Sequence, residues 1–161
     1  MSGSSCHACQ ENLDADRGVD PWAIARLATG YVRLNPTQYY RGATFFVSRI
    51  CVVELHELPA ATRSAHLDEM ALVAQAVFEA VRPRKMNYEA LGNSVPHLHW
   101  WLSTRHHDDP RPGGPIWEDP GFLQALHGGS ARPSDAERHE LRRTLLDELQ
   151  RRGVTIERAF C

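Results

Sequence analysis

The chain has 161 residues, 42% hydrophobic and 24% charged, with a formal net charge of −2. That is ordinary globular composition for one domain over residues 1–161. The charge balance excludes a protein that coats nucleic acid polymers, and no apolar run approaches the ~20 residues that span a membrane. Residues 1–7 lack a hydrophobic stretch of the secretory kind, so the expected location is cytoplasmic, where four cysteines are poor evidence for disulfides.

Residues 1–20 are polar and turn-rich apart from Cys6 and Cys9, and need something to hold them down. Residues 28–35 and 43–53 are β-branched and aromatic enough to be strands, with Asn35-Pro36-Thr37 and Arg41-Gly42 punctuating their connection. From Thr62 to about Arg82, Leu67, Met70, Ala71, Ala74, Val77, Phe78 and Val81 recur at three- and four-residue steps, an amphipathic helix stopped by Pro83. Residues 85–91 read as a strand, Gly92-Asn93-Ser94 as a turn, and residues 98–104 as a further strand. Residues 108–120 hold four of the ten prolines and read as an irregular loop. Ser134 and Glu137 form a capping box, and the helix they open, with Leu141, Leu145 and Leu149 as its apolar stripe, runs through residues 134–152 to stop before Gly153. Several strands with one long inserted helix and a C-terminal helix predict an α+β domain with an antiparallel sheet.

The segment from His97 to Leu102 is the most informative. As a strand it puts His97, His99 and Trp101 on one face, and Leu98, Trp100 and Leu102 on the other. Two imidazoles about 7 Å apart on a rigid element suit metal binding, nucleophilic attack, or one of each. Cys6-x-x-Cys9 points to metal binding or redox chemistry, although two thiolates alone are not a site. The pair His97 and His99 has no Glu or Asp at a spacing that would favour a metal-dependent hydrolase.

The run from Asn87 through Gly92-Asn93-Ser94 to His97-Leu98-His99-Trp100-Trp101 resembles the histidine triad superfamily of nucleotidyl hydrolases and transferases. Its pattern there is Asn, five residues, Gln or Asn, Ser or Thr, two residues, then three alternating histidines. Asn35 followed seven residues later by Gly42 and an apolar strand resembles the family's ribose-binding loop, and Cys6-x-x-Cys9 matches a feature of many members. The resemblance covers residues 5–110.

It implies a nucleotide-binding enzyme in which His99 attacks the α-phosphorus and carries a covalent nucleotidyl group, with Ser94 beside it in catalysis. Asn93 and Asn87 would hold and position the phosphate, and Asn35 the ribose; turn chemistry is the other reading of these asparagines. The third triad histidine is here Trp101, which has one donor and no acceptor. Trp101 therefore enters as a substrate-pocket residue, with a catalytically impaired, zinc-stabilised nucleotide-binding protein as the alternative function. The resemblance also implies a structural zinc ion held by residues 1–20 and the histidine strand. Cys6, Cys9, Cys51 and His97 form the expected set, with His56 competing for the place of Cys51. It further implies a homodimer.

Overall fold

A computed structural model describes residues 6–161. Helix α1 spans His7–Arg17. Strands β1 (Ala23–Arg26), β2 (Gly30–Leu34) and β3 (Thr44–Ser48) follow. A 3-10 turn at Leu55–Glu57 leads into α2, Ala60–Val81. Then come β4 (Lys85–Glu89), β5 (His99–Arg105), a second 3-10 turn at Ile116–Glu118, α3 (Pro120–Gly128), α4 (Asp135–Arg151) and β6 (Arg158–Ala159). The strands form one antiparallel sheet in the order β4-β5-β3-β2-β1-β6. No helix among the described residues is long and apolar enough to cross a membrane.

Side-chain alternation divides the sheet into two working faces. On one, Val32, Leu34, Phe46 and Leu102 meet Val73, Ala74 and Val77 of α2 and Leu141, Leu145 and Leu149 of α4, which is the main core. On the other, Phe45, Val47, His99 and Trp101 occupy paired positions on β3 and β5, flanked by α1 and by the segment running from the end of β5 through α3. The capping box of α4 is formed as expected, with Ser134 accepting the Glu137 amide.

Three differences from the expected elements have physical causes. Residues 6–20 are not turn-rich: α1 buries Ala8, Asn12 and Ala15 and ends at Gly18 in the left-handed region. Its buried stripe is small or polar, so hydrophobic periodicity does not reveal it. The expected strand at 28–35 is the second arm of a hairpin whose first arm is β1, with Leu27 N–H closing the turn on Gly30 O. Helix α2 buries His66, Val73, Ala74, Ala76 and Val77, while Ala71 and Phe78 of the expected stripe face outward. His66, a polar residue at a core position, shifts the buried face away from the one an apolar count selects.

Gly42 fixes how the loop after β2 meets α2. Its φ of +93° lies in the region that favours glycine, and a Cβ there would sit 2.6 Å from Cγ2 of Val81. The loop therefore lies directly against the C-terminal turn of α2.

Candidate functional site

His97 precedes β5 rather than lying in its ladder, a correction to the simple strand reading. Its ring is fully buried, and Nε2 donates to Ser48 O at 2.8 Å. That carbonyl also accepts from Nδ2 of Asn12 on α1 at 3.1 Å. With Nε2 protonated, Nδ1 carries the lone pair, and it lies 3.3 Å from Sγ of Cys6 and 3.6 Å from Sγ of Cys9. Cys51 joins them from the extended segment after β3, where Val52 O accepts from Leu98 N–H. One donor atom from each of Cys6, Cys9, Cys51 and His97 lies within 4.8 Å of the others.

A tetrahedral zinc ion, with Zn–S about 2.3 Å and Zn–N about 2.0 Å, needs donors closer than about 4 Å. Side-chain adjustments of less than about an ångström satisfy that, and a carbonyl orienting the ring from its far nitrogen is the usual support for such a ligand. The donor set therefore fits a metal ion. Burial, with Cys51 and Cys6 crowding it, pushes Cys9 up to about 12. Burial acts the same way on Cys6, but hydrogen bonding from Cys9 outweighs it and holds that thiol below its ordinary value. Three thiols this close share protons, which a cation replaces on binding. His56 is exposed in the 3-10 turn and outside the cluster.

Two residues on, the His99 ring is half-buried. Its Nδ1 donates to His97 O at 2.6 Å, which leaves Nε2 as the acceptor nitrogen, and the indole N–H of Trp101 donates to it at 3.2 Å. His99 borders three cavities of about 470, 200 and 270 Å³. Asn93 lines the first and third, Ser94 the third, and Trp101 the second and third.

Trp101 is held edge-on against Phe45, ring centroids 4.7 Å apart, and against Trp117 at 5.3 Å. The Trp117 N–H donates to Glu89 Oε1 at 3.1 Å, and Glu89 is the residue opposite Trp101 across β4 and β5. Burial raises the Glu89 carboxyl above its ordinary value, against the opposing effects of Trp117 and Arg105. Arg105 is buried. It pairs with Asp109 at 3.0 Å and donates to the carbonyls of Arg111 and Gly114, tying residues 109–114 to the end of β5. Asp119 caps α3 and accepts from Tyr40 at 2.8 Å.

Of the expected site residues, the structure brings His99, Ser94, Asn93 and Trp101 together and gathers Cys6, Cys9, Cys51 and His97 beside them. Asn35 and Asn87 do not line the cavities around His99. Asn35 is buried with its side-chain oxygen accepting the Thr37 amide, a turn-building role. Asn87 lies opposite Ser103, one inward-facing position beyond Trp101, and its Oδ1 is buried without a partner. Sequence reasoning missed Glu89 and the anchoring role of Arg105; alternation along β4 from Asn87 places Glu89 on the same face.

Residues 31–108 match the sequence model of the HIT domain family. Comparison with curated protein sequences finds no match. Among solved structures, a histidine triad protein from Sinorhizobium meliloti is 24% identical, with 83% of this chain and 95% of that one covered and a TM-score of 0.67. A histidine triad protein from Marinobacter aquaeolei is 23% identical over 84% of this chain and 94% of the other, with a TM-score of 0.68. A zinc-bound histidine triad family protein from Mycobacterium smegmatis is 17% identical over 89% and 96% of the two chains, with a TM-score of 0.59. The chain thus carries a HIT domain over residues 31–108, in a fold it shares with solved histidine triad proteins.

Proposed function

We propose that the chain binds a nucleotide or other nucleoside phosphate over His99 and transfers its nucleoside monophosphate group through Nε2 of that ring. The observation that carries this reading is the donation from Nδ1 of His99 to His97 O. It selects the tautomer whose remaining lone pair lies on Nε2, and ties the ring to the backbone carbonyl two residues before it. The Nε2 lone pair forms a P–N bond while the bond from phosphorus to the leaving group breaks, its electron pair departing with that group. A water oxygen or another acceptor then attacks phosphorus. The P–N bond breaks, its pair returns to Nε2, and the acceptor's proton passes to solvent. Asn93 and Ser94 supply hydrogen bonds to phosphate oxygens and the leaving group.

Cys6, Cys9, Cys51 and His97 hold a structural zinc ion in this reading. When bound, it cross-links α1 to the segment that leads into β5 and takes no part in the transfer. A two-fold pairing of copies is supported by the edge position of β4 among the described strands, where Tyr88 and, just beyond the strand, Leu91 are 49% and 50% exposed.

A second reading, binding without turnover, is favoured by the Trp101 N–H on the attacking lone pair. Incubation with adenosine and guanosine polyphosphates, followed by quenching and intact-mass measurement, separates the two. Transfer gives an acid-labile nucleotidyl adduct that His99→Ala lacks. Saturable binding by calorimetry with no adduct supports the second reading, and neither adduct nor binding overturns both.

A further inference from the structure

Among the described residues the His99 lone pair meets one donor, the Trp101 indole, and that indole is not free to choose its place. Phe45 and Trp117 hold it edge-on at 4.7 and 5.3 Å. Trp117 is fixed in turn by donation to Glu89 at 3.1 Å and by its packing on Phe122 of α3 at 5.7 Å. The segment carrying Trp117 is fastened at both ends, by Arg105 to Asp109 and by Asp119 to Tyr40. The chain of contacts from Glu89 through Trp117 and Trp101 thus ends on the nitrogen that the proposed transfer requires.

We propose that Glu89 and Trp117 are positioning residues that act through Trp101 as a latch on His99. The latch holds the nucleophile capped until a phosphoryl group arrives. Trp101 has one N–H and meets two acceptors in succession: the neutral imidazole nitrogen in the resting protein, and an anionic phosphoryl oxygen once substrate is bound. A charged oxygen is the stronger partner, so the substrate itself draws the N–H away and frees the lone pair. Trp101 is then the donor to the phosphoryl oxygen in the complex. This inference rests on His99 being the nucleophile, but the latch is testable without nucleotide.

The experiment is the rate at which diethyl pyrocarbonate modifies His99 at fixed pH in the full chain, mapped by peptide mass and divided by the rate at exposed His139. Trp101→Phe keeps a ring and removes the N–H; it raises that ratio roughly three- to tenfold, the effect of losing one hydrogen bond of ordinary net strength. Trp117→Phe and Glu89→Leu raise it in the same direction, and Glu89→Gln, which keeps an acceptor oxygen, restores the wild-type ratio. Modification of buried His66 identifies any variant that has unfolded, and Trp101→Phe then decides alone. An unchanged ratio in folded Trp101→Phe overturns the latch. A raised ratio with no nucleotidyl adduct upholds the latch and overturns only the transfer reading.

Discussion

Trp100 donates its indole N–H to Nε2 of His66 at 3.2 Å, the same distance at which Trp101, its neighbour on β5, donates to His99 on the opposite face. On the core side the histidine is enclosed. Nδ1 of His66 donates to the Thr29 hydroxyl at 3.0 Å, and that hydroxyl donates to Glu69. The ring also stacks on Phe46 at 4.7 Å.

Burial pushes His66 down to about 4 from 6.5. The folded protein therefore keeps this ring neutral where the unfolded chain protonates it. Between about pH 6.5 and 4 the unfolded state binds more protons, so stability is full above that window and falls as pH drops through it, by up to about 3 kcal/mol. Urea melts at pH 7, 6 and 5 should show this slope. His66→Gln should flatten it while lowering stability at pH 7. A slope unchanged in folded His66→Gln would place the acid sensitivity elsewhere.

Metal content tests the cluster at Cys6, Cys9, Cys51 and His97. Purified protein should carry about one zinc per chain, and chelation should lower Tm and open α1 to proteolysis. Cys51→Ser should lose most of the metal because it removes a quarter of the donor set. Well under one zinc per chain, with folding unaffected by Cys51→Ser, would refute the assignment.

Trp101→His replaces a donor that cannot pass on a proton with one that can. If the cavity still accepts a nucleotide, kcat for nucleoside phosphoramidate or polyphosphate cleavage should rise by roughly a hundredfold, the ordinary scale of general acid assistance. Steady-state rates at saturating substrate measure this. No gain would mean that the tryptophan serves a different purpose in this pocket.

Arg105→Leu should be among the most damaging single changes outside the main core. It leaves Asp109, whose side chain is 6% exposed, without its ion-pair partner, and frees two carbonyls of the 109–114 segment. Breaking such a pair costs about 3–5 kcal/mol. Thermal melts should show the loss, and Arg105→Leu combined with Asp109→Leu should recover part of it.

Strands β2 to β5 and the two long helices are legible because their apolar, β-branched or periodic spacing is strong and the helix stops, Pro83 and Gly153, are unambiguous. The short β1 and β6 carry no such signal. The thiol and imidazole cluster was legible only through a resemblance, since Cys51 by itself reads as an ordinary small strand residue. Helix α1 was hidden because its buried face is Ala8, Asn12 and Ala15. Helix α3 was hidden behind the prolines before it, although Asp119-Pro120 is a helix-opening pair. The burial of Arg105 has no signature in the sequence, because two of its partners, the Arg111 and Gly114 carbonyls, are backbone groups that sequence does not advertise. The hydrogen bond from Trp101 to His99 was hardest to foresee: two residues apart on one strand face they are neighbours, but which way an indole turns depends on Phe45 and Trp117.

Trp101 and Trp117 stand 5.3 Å apart with their planes at 67°, near enough for their excited states to couple. The pocket consequently carries its own optical reporter. A ligand that turns either ring will alter the near-ultraviolet circular dichroism and the fluorescence of the unlabelled protein, so occupancy can be followed by light alone.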